Sequence, residues 1–125
     1  KKRLDMGWYS IVQPDCDVVG PSEARAISFI ASLNEVLFCP HNWHNAINTA
    51  ANLQVMAVSS NQFFLESNRT WNNSCPEFQQ EIVKNPLLPK NGYIEVPNSS
   101  ALGIELNEKA LKRFPFMDIE RAVQI

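Results

Sequence analysis

Short apolar runs alternate with longer amphipathic runs through the first half of the chain, and the connections between them leave little freedom of topology. Residues 9–12, 36–39 and 63–65 are apolar stretches of strand length. Between the first two, Pro21-Ser22-Glu23 opens a helix that carries Ala24, Ile27, Ile30, Ala31 and Leu33 on one face. Residues 45–58 form a second, more apolar helical run through Ala46, Ile47, Ala50, Leu53, Val55 and Ala57. A β-α-β-α-β order with links this short predicts parallel, adjacent strands joined by right-handed crossovers.

The second half loses this rhythm. Residues 67–74 are polar and rich in Asn, a loop, and residues 76–83 read as a short helix stopped before Asn85-Pro86. Lys90-Asn91-Gly92 is a turn, followed by extended pieces at residues 93–97 and 102–106. Asn107 then caps a last helix, with Glu108 in its first turn, Lys112-Arg113 in its last, and Pro115 ending it.

Composition closes several functional classes. The 125 residues are 45% hydrophobic and 19% charged, enough apolar material for a core and unlike a disordered chain. A formal net charge of -2 provides no electrostatic footprint for nucleic acid or an anionic membrane. No apolar stretch approaches the roughly 20 residues of a spanning helix, and the expected setting is soluble and cytoplasmic. Cys16, Cys39 and Cys75 are odd in number and lack close paired spacing, so free thiols are expected and not a zinc or redox centre.

Chemistry-bearing residues stand just after each predicted strand. Asp15 follows Gln13-Pro14, His41 lies in Cys39-Pro40-His41-Asn42-Trp43-His44-Asn45, and Glu66 follows Phe63-Phe64-Leu65. In a parallel α/β barrel the loops after the strands' C-terminal ends form the mouth where substrates react. Asp17 and His44 are the nearest competitors; with Trp43 expected to open the second helix, His44 is expected to face the loop or a neighbour. Three βα units make only an open arc, because a closed barrel takes eight and about 250 residues. The chain starts at Lys1, in what reads as the end of a helix that Gly7 terminates. It is expected to be the C-terminal portion of a longer enzyme.

An ordered set of short pieces resembles a known family. Gln13-Pro14-Asp15, Gly20-Pro21-Ser22-Glu23-Ala24, Cys39-Pro40-His41-Asn42-Trp43, Ala50-Ala51-Asn52-Leu53, Leu65-Glu66, Asn91-Gly92-Tyr93-Ile94-Glu95-Val96-Pro97 and Leu102-Gly103-Ile104-Glu105-Leu106-Asn107-Glu108 occur in the order and at spacings compatible with the C-terminal third of the mandelate racemase/muconate lactonizing enzyme family of the enolase superfamily. No single piece is specific. The turn reading Gly20-Pro21 and the tail reading Ser100-Ala101 depart from the family's two-glycine turn and its Pro-Gly, which bears on the subgroup.

The resemblance implies a modified TIM-type (β/α) barrel whose sixth to eighth strands are the three read above. Residues 1–90 would belong to that partial barrel, and residues 91–125 would return as a tail onto an N-terminal capping domain absent from this chain. It also implies a hydrogen-bonded Asp15–His41 dyad and a substrate-contacting Glu66, with Mg2+ bound by residues outside this chain and no metal ligand within it. A small carboxylate substrate, expected to be an acid sugar, and a homo-oligomeric full-length enzyme follow from the same likeness, with neither nucleic acid nor membrane as partner.

Such a site removes the proton next to a carboxylate. The resulting enediolate needs a base poised near neutrality, and the resemblance implies the superfamily's pairing of a Lys or His base with magnesium. An Asp accepting from one ring nitrogen fixes the tautomer and stabilises the imidazolium. The Pro-His-Asn-Trp setting, with Glu66 25 residues after His41, is more similar to the acid sugar dehydratases than to the mandelate racemases. A lyase that expels the 3-hydroxyl is the first expectation. A racemase or epimerase of a 2-hydroxy acid or amino acid derivative is the alternative, and a non-catalytic homologue or fragment the third; the segment alone is expected to be inactive.

Overall fold

The structure, a computed structural model, describes residues 2–66 and 80–115. Its elements run α1 (Lys2–Asp5), β1 (Ile11–Val12), α2 (Cys16–Val19), α3 (Pro21–Ser32), β2 (Leu37–Phe38), α4 (Ala46–Ala57) and α5 (Glu108–Arg113). Each boundary has a local cause. Gly7 ends α1 at φ 67°, with its N–H on the Leu4 carbonyl and the Trp8 N–H on the Arg3 carbonyl, the paired bonds of a Schellman cap. Pro21 occupies the first turn of α3, where its missing N–H costs nothing. Asn45 caps α4 by accepting from the Ile47 and Asn48 N–H groups.

β1 and β2 pair in parallel, Ile11 opposite Leu37 and Val12 opposite Phe38. Beyond the strands the ladder continues: Cys39 N–H bonds the Val12 carbonyl at 3.0 Å and His41 N–H the Pro14 carbonyl at 3.1 Å. Those bonds carry the pairing up to the residues of interest. Alternation along the strands sends Phe38, fully buried, and Val12 toward the helices, where they pack with Cys16, Ala24, Ala51, Val55 and Met56. Ile11 and Leu37 face the other way and stay exposed.

The third expected strand, residues 63–65, is a correction. Pairing on that side of β2 is reduced to one parallel bridge, Phe38 with Gln62, made by the Phe38 N–H on the Asn61 carbonyl and the Phe63 N–H on the Phe38 carbonyl, both 2.9 Å. The next rung of a parallel ladder would require the N–H of residue 40. Pro40 has none, so the ladder stops there. Position and direction are as expected; extent is not.

Asn61 fastens this segment from behind, donating to the Val36 carbonyl at 2.7 Å and accepting from Ser28 Oγ at 2.9 Å. In the tail, Val83 bridges antiparallel to Leu106, and Ile82 and Val83 are buried against Ala46 with Ile47, Ile104 and Leu111 around them. Residues 93–97 form no strand, and the 102–106 piece contributes only that bridge. Asn107 caps α5 as expected, accepting from the Ala110 N–H. The loop at 67–74, Cys75, and the first half of the helix expected at 76–83 lie outside the described residues, as do residues 116–125; Gln80 and Glu81 are helical. Among the described residues no helix is long and apolar enough to cross a membrane.

Candidate active site

Asp15, His41 and Glu66 all stand at the C-terminal ends of the three parallel segments. Asp15 is the N-cap of α2 and is buried, with Oδ1 accepting the Asp17 N–H at 2.9 Å. Its other oxygen, Oδ2, lies 2.8 Å from His41 Nδ1. Gly20, at φ 81° and ψ 155°, turns α2 into α3 through backbone space that is nearly glycine's alone, which lets so short a helix present its cap at the strand end.

Glu66 reaches the pair through Asn42. Its Oε2 accepts the Asn42 N–H at 3.1 Å, while the Asn42 side chain donates to the Glu66 carbonyl at 2.9 Å. Asn42 thus takes over the tie between the two segments at the point where Pro40 ends the ladder. Asn52, fully buried on α4, completes the frame: it donates to the His41 carbonyl at 2.9 Å and to Asn42 Oδ1 at 3.3 Å, and accepts the Cys16 N–H at 3.2 Å. One amide therefore holds the Asp15 turn and the His41 loop together.

Sequence reasoning misses these two asparagines and misplaces His44. Asn45, Asn48 and Asn52 recur at three- and four-residue steps in an otherwise apolar helix, and buried amides there are the available signal. Trp43 does not open α4; it precedes the Asn45 cap and stacks on the His41 ring at 5.7 Å between centroids. Freed from the helix, His44 turns toward the carboxylates, its Nε2 3.4 Å from Asp15 Oδ2 and its Nδ1 3.6 Å from Asp17 Oδ2. Asp17, the rival of Asp15 in sequence, is the outer partner of His44.

The electrostatics favour the ionised form of Asp15. Burial pushes its carboxyl up, but the His41 hydrogen bond, the Asp17 N–H, the nearby Asn48 amide and His44 together outweigh burial and hold it below the ordinary 3.8. Asp17 goes the other way, raised by burial and by Asp15, with His44 opposing. Cys16 and Cys39 are free thiols. Burial, reinforced by Asp15 and Asp17, pushes Cys16 up to about 11, and burial with Glu66 raises Cys39, so neither supplies a thiolate nucleophile at neutral pH.

The donor set does not suit magnesium. Among the described residues the one cluster able to hold a cation is Asp15, His41 and His44, two imidazoles to one carboxylate, whereas Mg2+ selects oxygen ligands. Glu66, the other strand-end carboxylate, is taken up by Asn42.

A parallel βα arc with an Asp–His pair and a Glu at its strand ends defines an enolase-type barrel segment, and comparison with known proteins agrees. The family described as Enolase C-terminal domain-like matches residues 1–110. D-galactarolactone cycloisomerase of Agrobacterium fabrum is 36% identical over 124 residues, 92% of this chain and 32% of its own length. D-xylonate dehydratase of Haloferax volcanii is 29% identical over 103 residues, 82% of this chain and 24% of its own. A crystal structure of an enolase from Agrobacterium radiobacter, bound to Na and L-malate, superimposes with a TM-score of 0.76 at 30% identity, covering 88% of this chain and 31% of that one. The chain belongs to the enolase superfamily, in its mandelate racemase/muconate lactonizing enzyme branch, and corresponds to the C-terminal domain. It spans about a third or less of the curated relatives' length.

Proposed function

We propose that this chain carries the acid/base dyad of an acid sugar dehydratase. The observation supporting it most directly is the 2.8 Å approach of His41 Nδ1 to a buried, ionised Asp15 at the mouth of the strands. With Nδ1–H donated to Asp15, the tautomer leaves Nε2 free to take the proton next to the substrate carboxylate, and Asp15 stabilises the imidazolium formed. The imidazolium then returns its proton to the departing 3-hydroxyl. Water leaves, the enol remains, and tautomerisation gives the 2-keto-3-deoxy acid. Glu66, oriented by Asn42, faces the developing charge.

The relatives named as dehydratases and as a cycloisomerase support a small acid sugar as substrate. Magnesium, general in the superfamily, stays in this reading on residues outside the chain, as do the capping domain that residues 91–125 would meet and the contacts of a homo-oligomer. A cytoplasmic enzyme fits the free thiols. A cycloisomerase is the second reading, favoured by the 36% identity to the Agrobacterium fabrum protein; it would share the same proton abstraction.

The test uses the longer protein of which this segment is part, offered a set of acid sugars in deuterated water. Formation of a 2-keto-3-deoxy acid, with His41→Asn abolishing both product and exchange at the carbon next to the carboxylate, is the expected result. Exchange without loss of water would replace the dehydratase by a racemase or epimerase. Neither exchange nor product with any acid sugar would remove the catalytic reading.

A further inference from the structure

We infer that Asp15, His41 and His44 form a binding site for a zinc-like transition-metal ion. Asp15 Oδ2 faces two imidazole nitrogens at once, His41 Nδ1 at 2.8 Å and His44 Nε2 at 3.4 Å, and all three donor atoms lie within 4.8 Å of one another. Around a tetrahedral ion with bonds of about 2.0–2.1 Å, ligand atoms sit about 3.4 Å apart. The His44 edge already has that length. The His41 edge is shorter by roughly half an ångström, and the two imidazole nitrogens lie within 4.8 Å of each other, so small rotations of the two exposed rings would bring the set to that spacing.

The chemistry of the donors selects the metal. Two imidazoles and a carboxylate match zinc, cobalt or nickel, and are poor ligands for a hard ion that prefers oxygen and retains its water. The surroundings support a charged centre. His41 and His44 are partly exposed, so an ion has a path in and room for a solvent ligand, while Asp15 is buried and fixed through Oδ1 by the Asp17 N–H. The Asn48 amide lies near Asp15, fully buried, and neither of its polar atoms completes a hydrogen bond among the described residues.

Binding replaces the proton between Oδ2 and Nδ1 by the metal, and that proton is released to solvent. Held through Nδ1, the imidazole carries its remaining proton on Nε2 and can no longer take one from a substrate. The ion therefore silences the dyad, a consequence that rests on the proposed function. The binding itself does not.

The experiment titrates the longer protein with Zn2+ by calorimetry, and with Co2+ by visible absorption, in excess Mg2+ so that carboxylate sites are already filled. One Zn2+ per chain is expected, with the strong absorption of four-coordinate cobalt. His44→Asn and His44→Gln should each weaken Zn2+ at least about tenfold, since even a group that merely orients a ligand is worth ten- to a hundredfold. Asp17→Asn should have a smaller effect. No stoichiometric Zn2+ in excess Mg2+, or equal affinity in wild type and both folded His44 variants, overturns the site. Zn2+ binding by a protein that turns over no acid sugar would leave the site standing and sink only the proposed reaction.

Discussion

The Asp15 carboxylate serves His41 with one oxygen and its own helix with the other: Oδ2 lies 2.8 Å from His41 Nδ1 while Oδ1 caps α2 through the Asp17 N–H. The cap fixes the carboxylate's rotation, and the carboxylate in turn fixes the imidazole. On the proposed reading, His41→Asn in the longer protein should leave the fold intact and cut turnover by a factor of about a hundred or more. Asp15→Asn should also lower it, because an amide can leave the imidazole in the wrong tautomer and cannot balance its charge. His44→Asn should cost less than either. Steady-state kinetics with circular dichroism on each variant checks the order, and a larger loss from His44→Asn than from His41→Asn contradicts the assignment.

Acid should loosen this arrangement late. The Asp15 carboxyl is held below 3.8 in the folded protein, so its contribution to stability is present in full above that value and is lost as pH falls through the depressed one. A carbon-13 NMR titration should place the Asp15 midpoint under 3.8. In His41→Asn the hydrogen bond from the ring is gone and the midpoint should move upward; an unchanged midpoint would show that the pairing contributes nothing.

Two buried asparagines of α4 should differ in what their removal costs. Asn52 makes three hydrogen bonds that join the Asp15 turn to the His41 loop, and Asn52→Leu strands a backbone N–H and a carbonyl in a buried place. A loss of about 1–3 kcal/mol per stranded group is the expected scale, read from urea unfolding. The Asn48 side chain completes no hydrogen bond among the described residues and acts by lowering the Asp15 carboxyl, so Asn48→Leu strands no backbone group. Its loss should be smaller than that of Asn52→Leu, with the Asp15 midpoint moving upward. Equal losses at both positions would mean that the Asn52 bonds carry no weight.

The arc is legible in the sequence because its signals are local and redundant. Apolar runs of strand length, the Pro21 start and the Asn107 cap each place one element, and together they predict parallel neighbours with Asp15, His41 and Glu66 at one end. What escapes is settled by tertiary geometry. Asn52 and Asn42 are ordinary polar residues in sequence, and only packing shows that they meet backbone groups from other segments. Pro40 reads as part of a motif, yet its missing N–H is what shortens the third strand. A helix start at Trp43 puts His44 on the wrong side, and the actual cap lies two residues further on.

Glu35 marks the least comfortable backbone in the arc. It sits at φ 56°, three residues beyond Ser32 at the end of α3, and takes the position that glycine usually holds in a Schellman cap, with the Val36 N–H on the Ala31 carbonyl and its own N–H on the Ser32 carbonyl. A residue with a Cβ is disfavoured there by about 1–2 kcal/mol, and the exposed side chain gains nothing visible in return. Glu35→Gly should therefore stabilise the protein, by about 0.5–1 kcal/mol once the greater freedom of glycine in the unfolded chain is subtracted. Ala101, at φ 57°, should respond the same way to Gly. Glu35→Val is the opposing control, since a branched side chain fits that conformation worst. Urea midpoints of the three variants against wild type decide it: a Glu35→Gly protein less stable than wild type, with Glu35→Val unchanged, would show that this turn is not strained.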